Sequence, residues 1–174
     1  MTTPSSPASR RRSIGGLRMW FVITLVILAL GRAEAQDVIP PDRDGLLKGI
    51  GLDLAAVAEL NNWPGPKHVL ALKTELGLTR DQLKKTEAVE KGVVSSATAK
   101  GEEIVQLEEE LAVMFQSGSA NEKAVRTKLE QIGKARAELR YIHLQAHLRM
   151  KQILTPDQVK LYVELKTREI KREN

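Results

Sequence analysis

From Val125 to Ile153 the apolar and small side chains Val125, Leu129, Ile132, Leu139, Ala146, Met150 and Ile153 join Arg136 and His143 in an unbroken alternation of steps of four and three. That spacing keeps one strip of side chains on one side of an α-helix and predicts the seam of an antiparallel hairpin or coiled coil over 120–153. Its partner is predicted over 80–116, where Leu83, Val93, Val94, Ala97, Ile104, Leu107, Leu111, Met114 and Phe115 fall at threes and fours in the second half. Gly92, Gly101 and the pair Ser95-Ser96 interrupt this helix and predict a bend in its middle. Between the two, Ser117-Gly118-Ser119 breaks the pattern, and Ser119 with Glu122 reads as a capping box that starts the second helix.

Shorter elements flank this pair. Val69, Leu70, Leu72 and Leu76 share a face of a helix predicted over 67–76, which Gly77 ends as a C′ glycine. Val159, Tyr162, Val163 and Leu165 mark a last helix over 156–172. Upstream, Asn61-Asn62-Trp63-Pro64-Gly65-Pro66 cannot run through a helix interior. Before that break, Leu46, Leu47, Ile50, Leu54, Val57 and Leu60 suggest one amphipathic helix over 46–60, weakened by Gly49 and Gly51 at roughly 1 kcal/mol each relative to alanine. Residues 36–45, with Pro40 and Pro41 and few apolar side chains, read as a flexible leader.

Two of the helix starts share one text. Leu78-Thr79-Arg80-Asp81-Gln82-Leu83 and Leu154-Thr155-Pro156-Asp157-Gln158-Val159 each offer a threonine N-cap and, three residues on, a glutamine able to reach back to the cap. Leucine before the threonine can staple onto the apolar residue after the glutamine, and Pro156 and Asp157 suit a first helical turn. Two such corners bracketing long heptad-like segments resemble the Spy/CpxP family of periplasmic proteins, also called the LTxxQ family, over roughly residues 67–169. The resemblance implies an all-α, cradle-like homodimer of bent helical hairpins. It also implies one of two roles: an ATP-independent chaperone that holds partly folded envelope proteins, or a stress-response modulator that acts on a membrane-bound sensor. Some members of that family sense or resist transition metals through His, Met and Glu. The chain departs from the family in its N-terminal extension and sparse aromatic residues, so client-binding residues do not carry over.

Composition changes the picture at the N-terminus. Arg10, Arg11, Arg12 and Arg18 precede an apolar run from Met19 to Leu30, and Ala33-Glu34-Ala35 is an A-x-A cleavage pattern, so residues 1–35 are expected to be a signal peptide with export to the periplasm. The apolar run is short of the ~20 residues a spanning helix needs. Ser9-Arg10-Arg11-Arg12 also hints at twin-arginine export. Five of the 27 Lys+Arg and one of the 22 Asp+Glu would leave with the peptide, taking the net charge from +5 to near +1 and removing the argument for nucleic acid. Residues 36–66 would then be leader and 67–174 the helical domain. With no cysteine and 3% aromatic residues, stability must come from packing, and a homodimer is expected.

Candidate chemistry is confined to His143, His147 and Met150, at i, i+4 and i+7 of one helix. Imidazole and thioether donors on one face suit nickel, copper or zinc. The same three residues suit a packed core better, with His143 in the seam, Met150 as filler and His147 at the edge. His68 lies outside the hairpin and would have to approach in space. Glu102, Glu103, Glu108, Glu109 and Glu110 read most simply as a solvated face. No nucleophile has a base and an orienting group, and no HExxH pattern occurs, so the expectation is not an enzyme and no bound organic cofactor.

Overall fold

The computed structural model describes Pro40, residues 42–51 and residues 53–173, with side chains through residue 168. The signal peptide expected over 1–35 lies outside these residues. Every regular element described is helical: α1 (Arg43–Leu47), α2 (Ala56–Leu60), α3 (Pro66–Ala71), α4 (Arg80–Gln116), α5 (Glu122–Ile153) and α6 (Pro156–Glu173). The fold is therefore all-α, built on the long antiparallel hairpin of α4 and α5 that the seam predicts. Among the described residues no helix is long and apolar enough to cross a membrane.

The helix boundaries have local causes. Thr79 caps α4 through a reciprocal box with Gln82, 3.2 Å from the Gln82 amide to Thr79 Oγ1 and 3.0 Å from the Thr79 amide to Gln82 Oε1. The second corner repeats this with Thr155 and Gln158, at 3.2 and 2.9 Å. At the far end Gly118, at φ +70°, turns the chain, and the Ser117 and Gly118 amides bond back to the Val113 and Phe115 carbonyls. The cap of α5 corrects one sequence expectation. Asn121, not Ser119, accepts from a backbone amide, that of Ala124 at 3.0 Å, while the Ser119 hydroxyl donates to the Met114 carbonyl at the end of α4. Ser119 is thus used to finish the preceding helix, and the residue nearer the helix takes the capping role.

The predicted helix over 67–76 is α3 followed by turns, and Gly77 adopts the left-handed conformation (φ +59°) expected of it. The single helix expected over 46–60 is instead two five-residue helices, α1 and α2, separated by left-handed Gly49 (φ +62°) and Asp53 (φ +58°). Within the expected leader, Asp42 and Arg43 are engaged with the hairpin through ion pairs. No interruption of α4 occurs at Gly92 or Gly101; the helix is continuous.

Two apolar clusters line the hairpin. One joins Leu46 of α1 to Ala97, Ile104 and Val105 of α4 and Ala135 and Leu139 of α5. The other joins Val69 and Leu76 to Met150, Leu154 and Tyr162, with Leu78 and Val159 packed against them. Burial follows the predicted seam from Ile132 to Met150 and is lost at Leu129, which is exposed. Arg136 holds its seam position because its guanidinium reaches the Asp42 and Glu108 carboxylates at the edge (2.8 and 3.2 Å).

Candidate functional site

The two Thr-x-x-Gln corners meet. Each glutamine side chain has two N–H donors and a carbonyl with two lone pairs, and a helix-cap box uses only part of that capacity. Gln82 Nε2 donates to Gln158 Oε1 at 2.7 Å and to the Ile153 carbonyl at 3.0 Å. Gln158 Nε2 donates to Gln82 Oε1 at 3.1 Å and to the Leu76 carbonyl at 3.1 Å. Each Oε1 also accepts the amide of its own threonine, so both side chains are fully bonded and related by an approximate two-fold arrangement. The pair ties the start of α4 to the start of α6, with Leu78 and Leu154 packed beside it. Thr86, buried one turn into α4, adds a bond from its hydroxyl to the Gln82 carbonyl (2.7 Å).

A cleft opens between the two apolar clusters. It encloses about 440 Å³ and is lined by His68, His143 and His147, the only three histidines of the chain, with Glu59 and Glu90 among its acidic residues. His143 comes from the α5 seam and His147 from its edge, and both are buried. His147 Nδ1 lies 3.1 Å from the Trp63 carbonyl. A carbonyl can only accept, so Nδ1 carries the proton and Nε2 is the bare nitrogen. His143 is 8% exposed, and its Nε2 is buried without a hydrogen-bond partner. Burial, reinforced by the neighbouring His147, holds the His143 pKa below the ordinary histidine value. Burial and then Lys166 do the same for His68.

Met150 does not line this cleft. It is fully buried in the second apolar cluster against Val69, Leu76, Leu154 and Tyr162. His68, which the sequence left outside the hairpin, is brought in by α3 and by the Trp63–Pro66 turn, where Gly65 packs against the His147 ring and Lys151 lies over Trp63 at 4.2 Å. The acidic residues at hand are Asp53, Glu59 and Glu90. Glu103, Glu108, Glu109 and Glu110 instead pair with Lys100, Arg136, Arg43 and Lys128. The imidazole and carboxylate donors fit a borderline metal chemically, yet among the described residues no three His, Asp or Glu are placed to hold an ion as they stand.

At the opposite end of the hairpin an open groove of about 680 Å³ is lined by Phe115, Val125 and Leu129 amid Glu122, Arg126 and Glu130. Phe115 is 62% exposed and Leu129 53%. Local sequence signals reveal the corners and the α5 histidines. They do not reveal the glutamine pairing, the approach of His68 or the presence of Glu90 in the cleft, each of which depends on residues far apart in the chain. No protein-family model, no curated protein and no solved structure matches this chain.

Proposed function

We propose that the chain is a non-enzymatic periplasmic holder of partly folded proteins, of the Spy/CpxP type. The observation that carries this reading is the mixed surface of the hairpin. Val94, Val113, Phe115, Leu129, Tyr141 and Leu148 stay exposed among charged side chains on a hairpin whose base is pinned by the paired glutamines. Scattered apolar contacts within a charged surface bind unfolded chains loosely, which lets a client fold while attached. A homodimer would double that surface. The purified protein should slow aggregation of thermally unfolded clients at stoichiometric amounts without nucleotide; no suppression across several clients rejects the reading. Inhibition of a membrane-bound sensor is the related role, separated by whether the protein lowers that sensor's signalling in cells.

A second reading, periplasmic transition-metal binding or resistance, is favoured by the cleft itself. It gathers all three histidines and leaves the His143 Nε2 unpartnered, while the Trp63 carbonyl orients His147 with Nε2 free, an arrangement typical of the outer shell of a metal ligand. His143, His147 and, after a modest approach, His68 or Glu59 would supply the ligands. Calorimetric titration with nickel, copper and zinc, beside a His143→Ala, His147→Ala double variant, tests it. Equal binding by both proteins, or no micromolar binding, removes it.

A further inference from the structure

The floor of the first apolar cluster is covered by a segment with little helical structure of its own. Leu46 of α1, 1% exposed, sits on Ala97, Ile104, Val105, Ala135 and Leu139. The seat is shaped for backbone approach: a Cβ on Gly101 would lie 2.1 Å from the Leu46 carbonyl oxygen, and one on Gly49 would lie 2.8 Å from Thr98 Oγ1. Around this seat Leu47 and Leu54 pack partly buried against the same cluster, and Ala55 is buried. Neither α1 nor α2 has a side-chain cap bond, α2 buries no residue, and Leu60 is 83% exposed. Helices of five residues do not persist alone in water. Its charged ties are the Asp42–Arg136 and Arg43–Glu109 ion pairs, whose side chains are about a third to a half exposed and open to screening by salt. The hairpin beneath has 37- and 32-residue helices and a locked base, against two five-residue helices in the cover.

We propose that residues 42–51 are a displaceable strap, and that the groove beneath it docks a short apolar helical segment of a partly folded protein, one with a leucine-like anchor a turn after an acidic residue. The strap displays that chemistry in cis, with Asp42 on Arg136 and Leu46 on the floor. Binding in trans competes with the strap, so the free protein is self-limited. This inference rests on the holding function proposed above.

The test uses the full chain and a synthetic peptide of residues 40–51 as the probe. Leu46→Asp removes the plug and leaves the groove intact. Gly101→Ala favours the α4 helix but places a methyl against the Leu46 carbonyl, so it frees the strap and blocks the seat. Amide exchange over residues 43–50 should be at least tenfold faster in both variants than in the unaltered protein, with α4 and α5 exchange retained. The peptide should bind Leu46→Asp at least tenfold more tightly than the unaltered protein or Gly101→Ala. Unchanged exchange over 43–50, or no peptide binding to Leu46→Asp, overturns the proposal. Dimers of the unaltered protein that Leu46→Asp abolishes would assign the groove to a second copy's strap and overturn it likewise. Aggregation assays on the same proteins separate the two claims. Peptide binding without suppression keeps the groove and rejects the holding function, whereas equal suppression by all three proteins without peptide binding does the reverse.

Discussion

The two ends of the hairpin carry the same kind of seam and end differently. At the base, α3 and α6 lie over it, Met150 and Tyr162 are sealed, and the Gln82–Gln158 pair closes the corner. At the tip, the spacing continues through Val125 and Leu129 on α5 and Met114 and Phe115 on α4, yet Phe115 and Leu129 remain in solvent beside the Lys128–Glu110 ion pair. Two helices in contact bury one strip of each and leave the flanking positions half wet. A seam becomes a core only where a third element covers it. The difference separates a sealed part of the molecule from one that stays open among the described residues.

The sharpest way to break this comparison is to shorten one seam residue at each end. Met150→Ala should cost ~2–5 kcal/mol, the range for emptying a sealed core position. Leu129→Ala at the tip should change stability by no more than about 0.5 kcal/mol. Comparable shifts in urea midpoint for the two would show that the tip is closed after all.

Next in size is the glutamine pair. Gln158→Ala strands the Thr155 amide and the Leu76 carbonyl and leaves Gln82 half-bonded, so a loss of roughly 1–3 kcal/mol is expected. Because Gln82→Ala breaks the same two bonds between the glutamines, the two losses should fail to add, with a coupling of about 0.5–3 kcal/mol in a double-mutant cycle. Additive losses would reduce the corners to two independent caps. Thr79→Ala and Thr155→Ala, each removing one cap acceptor, should cost ~0.5–2 kcal/mol by the same measurement.

Acidification should act on the middle of the molecule before either end. His143 and His68 have folded pKa values below the unfolded value of about 6.5, so the folded state binds protons less readily than the unfolded chain. Stability from keeping them neutral is fully present above that value and falls as pH drops below it. The Asp42 carboxyl, held low by its bond to Arg136, adds a second loss only below about pH 4. Urea midpoints measured from pH 7.5 to 3.5 should show both steps, and His143→Gln should shrink the first. A flat profile between pH 7 and 5 would mean that the buried imidazoles cost nothing to charge.

The smallest expected effect concerns the ion pairs of the tip and strap. Lys128→Ala and Arg43→Ala should each lower stability by less than about 1 kcal/mol, an effect that disappears in high salt.

Much of this architecture is legible in the residues alone. The threonine caps, the turns at Gly77 and Gly118, the α5 seam from Ile132 to Met150 and the helical hairpin all follow from signals within four residues or from a repeating period, because caps and amphipathic faces are local properties of the backbone. What the tertiary structure decided lies outside that range. A capping box uses only part of a glutamine's hydrogen-bonding capacity, and only the meeting of two corners 76 residues apart employs the rest. Gly101 looks like a weak point of a helix until Leu46 arrives against it from another segment, and His68 gains chemical neighbours only when α3 folds onto α5. The same holds for loss of burial: nothing in the spacing of Phe115 and Leu129 records that no described element covers them, since burial depends on what packs above a side chain as well as on the strip to which it belongs.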